Sequence, residues 1–404
     1  MFKKVNKMDN EIDMIMDQEA ETEKDEPPDA KPHPVRPWRV AVIANVRGKA
    51  MISNNSPHDA GAEFDKIETI QAIQNTIESL GHTTIFLPAD GTLPAKLATE
   101  NPDICFNISE GLGGDSREAQ VPALLEMLHI PYTASRVLAN AIGLDKTMTK
   151  RVWRDSGLPT AGFQEFINGD ERLDPKLNFP MFVKPSREGT GMGMDMQSIV
   201  YNQAELYHQV RWVINTYLQP ALVEEFLSGR EFTVGVLGRH DAAQFSATPE
   251  IYGDDGFHRF PVLEVDHSRA YTPGVYGHLL KSMALGIDGQ AQFLCPADIP
   301  FTLQRKLQNL AIQAHIAVGA LDVSRVDIRL DAKGHPCLLE INTLPGLTPD
   351  FSDLCVIANA DGLGYNRLIQ EILNLGASRF GLLQKYNEAQ VYGPVQVPLR
   401  AAVL

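Results

Sequence analysis

Val323-Ser-Arg-Val-Asp-Ile-Arg-Leu-Asp-Ala-Lys-Gly-His-Pro-Cys-Leu-Leu-Glu-Ile-Asn-Thr-Leu-Pro-Gly-Leu347 contains two runs of alternating polar and apolar residues, Arg325 to Leu330 and Cys337 to Asn342. Alternation of period two marks strands with one buried face, and the residues between the runs include Gly334 and Pro336, so a β-hairpin is predicted. A turn centred between Lys333 and Gly334 sets Asp327 opposite Glu340 and Arg325 opposite Asn342 on one face. Two carboxylates facing each other across a strand pair repel, and a fold that brings them together usually holds a cation between them. Asp, Glu and the Asn carbonyl are hard oxygen ligands suited to Mg²⁺ or Mn²⁺, and Mg²⁺ with few protein ligands shares its shell with substrate phosphates. The alternative is a solvated hairpin face whose acids are neutralised by Arg325 and Arg329.

Upstream, Leu222-Val-Glu-Glu-Phe-Leu-Ser-Gly-Arg-Glu-Phe-Thr-Val234 places two apolar strand runs around Ser228-Gly229, which is read as a hairpin turn. Backbone groups and apolar walls at Glu225, Phe226 and Leu227 are what a strand needs to receive an adenine. Read alone, Glu224 and Glu231 are surface charges. Lys184 ends a short apolar strand stopped by Pro185, beside the loop Gly189-Thr-Gly-Met-Gly193. Such a loop, with Gly189, Thr190 and Gly191 leading it, can fold its amides over phosphates while the lysine adds a point charge. The plainer reading is a lysine snorkelling from a strand end. Lys146 follows Asp145 at a helix start and Lys150 lies one turn on, which on geometry alone gives a solvated helix face.

The amino-terminal half reads as a small open α/β sheet. Trp38-Arg-Val-Ala-Val-Ile-Ala-Asn-Val46 is a buried-strand run, Ile67, Ile70, Ile73, Ile77 and Leu80 repeat at helical spacing until Gly81, and Thr83 to Leu87 is the next strand. Strand, helix, strand at this spacing is a βαβ unit. Asp103 to Ile108 is a further strand, running into the glycine-bearing loop Ser109 to Gln120 and a helix from Val121 to Leu128. Loops of this kind at strand carboxyl ends are where α/β sheets bind ligands, although glycines also serve tight turns.

A chain of 404 residues, 44% hydrophobic, can bury a large core in two or three units, and a net charge of -15 argues against a nucleic-acid or anionic-membrane surface. Cys105, Cys295, Cys337 and Cys355 show no metal-ligand spacing and read as reduced thiols. No apolar run approaches membrane-spanning length and no signal-peptide core follows Lys3, Lys4 and Lys7, so a cytoplasmic location is expected. Residues 1–37, acidic and proline-rich, are expected to be a disordered tail.

Phe106-Asn-Ile-Ser-Glu-Gly-Leu-Gly-Gly-Asp-Ser-Arg-Glu-Ala-Gln-Val-Pro-Ala-Leu-Leu-Glu-Met-Leu-His-Ile-Pro-Tyr-Thr-Ala-Ser135, then Leu144-Asp-Lys-Thr-Met-Thr-Lys150, resembles the middle of a D-alanine–D-alanine ligase, a family of the ATP-grasp superfamily. The resemblance continues in register through Phe179 to Gly193, Leu222 to Val234 and Arg325 to Gly346, and several ordered motifs are far harder to obtain by chance than one. It implies an ATP-grasp fold preceded by the small open α/β sheet: an amino-terminal domain at 38–138, a central lobe at 139–222, a catalytic lobe at 223–375 and a tail at 376–404. It further implies that Lys146, Lys184 and Lys281 hold the triphosphate of ATP, that Glu224 accepts from the adenine amine, and that Glu231 takes the ribose hydroxyls. Asp327, Glu340 and Asn342 would hold two Mg²⁺ or Mn²⁺ ions. The implied reaction is a carboxylate attacking the γ-phosphate to give an acyl phosphate, then an amine attacking the carbonyl, with Arg325 and the amide of Gly346 facing the oxyanion.

The departures fall on substrate recognition. The family begins with a glycine-rich loop and a glutamate for the first substrate's amine; Ala44-Asn-Val-Arg-Gly-Lys-Ala50 lacks that pattern, leaving Glu63, Asp65 or Glu68 for the role. Thr190 stands where the family has a serine, Ser282 where it has a tyrosine, and Phe351 or Ser352 where it offers a serine to the second substrate. The expected function is an ATP-dependent carboxylate-amine ligase with small amino-acid or carboxylate substrates, no nucleic-acid or membrane partner, and a homodimer left open. The alternative is an inactive nucleotide-binding sensor or scaffold of the same fold.

Overall fold

Val40 to Ala44 is apolar on every residue because the strand it forms, β1 (Arg39–Ala44), is covered on both faces. In the computed structural model, which describes residues 36–48, 57, 59, 61–266, 275, 277 and 292–383, β1 is the centre of a parallel sheet. It lies between β2 (Thr83–Pro88) and β3 (Ile104–Asn107). On one face Val40 and Val42 meet Ile70, Ile73 and Ile77 of α1 (Ile67–Ser79); on the other Ala41 and Ile43 meet Leu93 and Leu97 of α2 (Leu93–Glu100) and Leu125 of α3 (Gln120–Met127). The expected βαβ unit is therefore present, with Ile67 left largely outside the core. Of the expected tail, 1–37, all but Arg36 and Pro37 lies outside the described residues.

Two helices, α4 (Val137–Leu144) and α5 (Lys146–Asp155), lead to a second, antiparallel sheet in the order β4 (Phe163–Phe166), β7 (Ala221–Glu225), β5 (Met181–Pro185), β6 (Ile199–Val200). Asp145 caps α5 by accepting from the amide of Met148 at 2.9 Å. Leu206, Val210 and Val213 of α6 (Gln203–Tyr217) pack on this sheet, over Met181, Val183 and Val223.

The third sheet runs β11 (Gln292–Leu294), β10 (Leu263–Asp266), β8 (Glu231–Gly238), β12 (Val323–Leu330), β13 (Pro336–Asn342), with β9 (Phe257–Arg259) also on β8. Its strands alternate: Phe232, Val234, Val326 and Ile328 pack on Leu307, Leu310 and Ala311 of α7 (Phe301–Ala317), which leaves Glu231, Thr233, Asp327 and Arg329 for the opposite face. Two helices, α8 (Asp353–Asp361) and α9 (Tyr365–Arg379), are the last elements among the described residues.

The segment from Leu222 to Val234 is not the hairpin its composition indicated. Strands β7 and β8 belong to different sheets, and Phe226 to Arg230 crosses between them, with the Phe226 amide on the carbonyl of Pro180 and the Gly229 amide on that of Leu330. Each strand is drawn to partners distant in sequence, β7 to β4 and β5 and β8 to β10 and β12, and local pattern carries no information about that choice. Gly229 sits at the crossing because a Cβ there would lie 2.6 Å from the Leu330 carbonyl oxygen.

The first sheet is fastened to the third through a buried ion pair. Asp322, fully buried, accepts from the Ala134 amide at 2.9 Å and from Arg379 at 2.8 Å, and Arg379 also donates to the carbonyls of Tyr132 and Ala134. Arg379→Met should lower unfolding free energy by about 3–5 kcal/mol, since it leaves a buried carboxylate without its counter-ion; denaturant titration followed by circular dichroism measures this.

Candidate functional site

The hairpin β12–β13 pairs Asp327 with Glu340 and Arg325 with Asn342, as the sequence indicates, but by a different route. Leu330 faces Pro336 and Ile328 faces Leu338, so the turn centres on Lys333, and a regular ladder from it would set Leu339 opposite Asp327. A bulge between the pairs Asp327/Glu340 and Ile328/Leu338 takes Leu339 out of the ladder and returns Glu340 to that place. Ile341 then falls opposite Val326 in the core, while Leu339 and Glu340, consecutive in sequence, both line one cleft.

The acids are surrounded by cations. Arg325 Nη2 lies 3.0 Å from Asp327 Oδ2 and 4.0 Å from Glu340 Oε1, and its Nη1 is 3.2 Å from Asp353 Oδ2. Lys146 Nζ is 3.4 Å from Glu340 Oε2 and donates to the carbonyl of Glu188. Thr233 donates to Asp327 Oδ1 at 2.9 Å. Arg329 pairs with Glu231 at 3.4 Å and donates to the carbonyl of Gly229. Lys146 is buried, so it does not belong to a solvated helix face. Among the described residues no group of three or more His, Cys, Asp or Glu could hold a metal by itself. Two carboxylates with an amide are nonetheless a hard-oxygen set, and they fit a Mg²⁺-type ion whose remaining ligands come from phosphate.

The cleft is lined by Lys184, Glu224 to Leu227, Glu231, Asp327 and Glu340 among others, so residues from three of the sequence motifs meet at one place. Phe182 and Phe226 stack with centroids 6.4 Å apart and supply an apolar wall. Glu224 is held by two lysines: Lys184 Nζ lies 2.6 Å from Oε1 and Lys150 Nζ 2.7 Å from Oε2. Burial alone would raise the carboxyl's pKa; the two ammonium groups outweigh it and hold it at about 2. The side chain of Glu225 turns away to accept from Asn178.

Thr190, Gly191 and Gly193 adopt left-handed backbone, which shapes the phosphate-type loop. Two of its amides are taken by carboxylates from the segment after β1: Gly189 N donates to Glu63 Oε1 at 2.5 Å and Gly193 N to Asp59 Oδ2 at 3.0 Å. A Cβ on Gly189 would lie 2.4 Å from Glu63 Oε1, so a side chain there would displace that carboxylate from the loop. Arg117 completes the clasp, donating to Glu63 Oε2 and to the Arg187 carbonyl, each at 2.7 Å, and to Glu188 at 3.3 Å. Lys150, expected on a solvated helix face, is fully buried; Asp59 and Arg117 were not expected, and the local sign of Arg117 is a basic residue in an otherwise acidic glycine loop. Glu68 is exposed, whereas Glu63 lies against the loop. At the other end of the site, the hydroxyl of Ser352 accepts from the Thr348 amide and lies 2.9 Å from where a Cβ on Gly346 would be; Phe351 is 40% exposed. Lys281 and Ser282 lie outside the described residues.

Burial crowds carboxylates near Glu63. It raises Glu118 to about 7 despite Arg117, and raises Glu110 well above the ordinary range with the help of Glu118 and Glu63. Asp65 is pushed from 3.8 to about 7, again chiefly by burial, against the pull of Arg47. A carboxyl whose folded pKa is raised adds stability below its unfolded value, and that stability is lost as pH rises through the folded one. The stability advantage of Asp65→Asn over the parent should therefore grow between pH 4 and 8, to on the order of 2 kcal/mol once partial exposure is allowed for. Thermal melts across that pH range give the measurement; a pH-independent difference would mean that Asp65 ionises normally in the fold.

The chain matches the family model for the D-ala D-ala ligase C-terminus over residues 152–374. It is 31% identical over 352 residues to the uncharacterized protein y4sG of Sinorhizobium fredii, an alignment covering 85% of this chain and 98% of that one. With the D-alanine–D-alanine ligase of Bordetella avium it shares 33% identity over 263 residues, 65% of this chain and 74% of the relative. The crystal structure of the Bacillus anthracis D-alanine–D-alanine ligase complexed with ATP superposes with a TM-score of 0.61 at 20% identity, covering 85% of this chain and 99% of that one. That last likeness bears on the fold, which is ATP-grasp.

Proposed function

The chain belongs to the D-alanine–D-alanine ligase family, and on that premise we propose that it joins a carboxylate to an amine at the expense of ATP through an acyl phosphate. What carries the reading is the meeting, at one cleft, of the acid pair Asp327 and Glu340 with Arg325, Lys146 and Lys184. A nucleotide sensor has no use for an arginine fixed beside a metal-type acid pair, whereas acyl transfer does. The three-lobe division at 38–138, 139–222 and 223–375, with a tail at 376–404, is part of the proposal; β7 spans the boundary after 222 and α9 runs past 375.

In this reading the backbone of Glu225 to Leu227 meets the adenine edge with Glu224 near the amine, and Glu231 takes the ribose hydroxyls. Lys146 and Lys184 hold the phosphates, with Lys281 as a third lysine, and Gly189, Thr190 and Gly191 cover them and exclude water. Asp327, Glu340 and Asn342 would hold two Mg²⁺ or Mn²⁺ ions, whose chemistry is to neutralise the charge spreading over the transferred phosphoryl group. A substrate carboxylate oxygen bonds to the γ-phosphorus as ADP leaves; the amine nitrogen of the second substrate then bonds to the acyl carbon, and phosphate leaves. Arg325, fixed by Asp327 and Asp353, and the Gly346 amide donate to the oxyanion formed between these steps. The first substrate's amine is assigned to the Glu63 end of the site, with Asp65 as the neighbouring acid. The substrates are small molecules, the location proposed is the cytoplasm, and the assembly state open to test is a homodimer; among the described residues no helix is long and apolar enough to cross a membrane.

Glu340→Gln should cut Mg²⁺-dependent phosphate release on the order of a hundredfold or more, with the circular dichroism spectrum of the folded chain retained, since it deletes a ligand charge and no apolar core contact. Turnover equal to the parent's at saturating Mg²⁺ would show the hairpin acids to be spectators.

The amine end differs from a plain zwitterion site. Glu63 already serves the loop and Arg117, and each unpaired charge in a closed pocket costs about 1–3 kcal/mol or more. D-alanine is accordingly expected to be used on the order of tenfold to a hundredfold less efficiently than the preferred pair. Initial rates with D-alanine beside a mixed panel of amino acids and other carboxylates, with product masses read, decide this; D-alanyl-D-alanine forming faster than every other product would refute it.

A further inference from the structure

Lys150 has no role in the reaction just described, yet it is fully buried. A lysine on a helix usually carries its ammonium to water along its flexible stem. Here Nζ meets three partners from three elements: Glu224 Oε2 on β7 at 2.7 Å, Thr160 Oγ1 at 2.7 Å, and the Leu338 carbonyl on β13 at 3.2 Å. Two of its donors meet Thr160 and Leu338 and its charge meets the carboxylate of Glu224, so the charge is built in and not merely tolerated. A methionine would fill the same volume without the desolvation that burying an ion entails.

The use of that charge follows from what else Glu224 touches. Its other oxygen holds Lys184 at 2.6 Å, and Glu224 and Lys184 both line the cleft, whereas Lys150 approaches from behind. Glu224 with Lys184 alone would present a pair of net charge zero to an incoming nucleotide. With Lys150 on the far oxygen the trio sums to one positive charge, and the member facing the cleft is Lys184.

We propose that Lys150 is a positioning residue for nucleotide binding: by neutralising Glu224 from the side away from the cleft, it leaves the charge of Lys184 free to act on the phosphates. This rests on the ligase reading above, in which the cleft takes ATP. The effect of Lys150 is electrostatic and scales with the charge of the nucleotide. It contributes to ATP more than to ADP and nothing to adenosine, and it appears in the KM for ATP more than in kcat.

The test is calorimetric titration of the full chain with ATP, ADP and adenosine at one fixed Mg²⁺ concentration. Lys150→Met should weaken ATP about tenfold to a hundredfold, ADP less, and adenosine within about twofold. Lys150→Gln keeps a donor for Thr160 or Leu338 without the charge; it should show the same selective loss, and it serves if the methionine variant does not fold. Adding Glu224→Gln to Lys150→Met removes one charge of each sign and should restore the parent's ratio of ATP to adenosine affinity, whatever happens to base contacts. Equal loss for all three ligands would mean that Lys150 only shapes the pocket, and no loss, or no recovery in the double variant, would equally overturn the assignment. If the parent itself binds ATP no better than adenosine, the ligase reading falls with it; if the parent prefers ATP and the variants match it, only the assignment of Lys150 falls.

Discussion

Asp327 and Glu340 repel, and the positions of Arg325, Lys146 and Lys184 all answer to that repulsion. Each cation comes from a different part of the chain. Arg325 shares the strand of Asp327, Lys146 begins α5, and Lys184 ends β5 in the second sheet. Charges drawn from two sheets and a connecting helix keep their field only while those elements stay in place. The dependence runs through the framework as well. Trp153 of α5 packs among Val326, Ile328 and Leu338, so the helix that begins at Lys146 is seated on the hydrophobic side of the hairpin whose acids it serves.

The segment after β1 has a comparable part. Asp59 and Glu63 reach the loop between β5 and β6 and take amides at both its ends, while Arg117, from the loop after β3, holds the backbone and a side chain of the same region. The small parallel sheet is therefore more than an appendage to the nucleotide lobes. It supplies the acids that settle where the loop rests.

What could be read in the sequence divides by range. Strand β1, helix α1 and strand β2 follow from periods of two and 3.6 within a dozen residues, and Asp327 facing Glu340 follows from local alternation, although the turn centre used to find it is displaced and the bulge compensates. The crossing of Phe226 to Arg230 between sheets was not legible, because two apolar runs around Ser228-Gly229 look alike whether they pair with each other or with strands far away. Lys146 and Lys150 read as a wet helix face because a lysine's burial is decided by its acceptors, and Glu224 and Glu340 stand far from them in the chain. That Glu63 and not Glu68 lies against the loop needed the position of Gly189, which no pattern around residue 63 encodes.

The bulge at Leu339 separates two properties that share one strand. A hairpin one residue shorter, lacking Leu339, would run as a regular ladder from the same turn and still set the present Glu340, Ile341 and Asn342 opposite Asp327, Val326 and Arg325. What it would lack is the apolar side chain beside Glu340 on the cleft wall. Removing that single residue is therefore an edit to the cleft wall and not to the acid pair. The lining of the cleft can change by one residue while the facing acids keep their places.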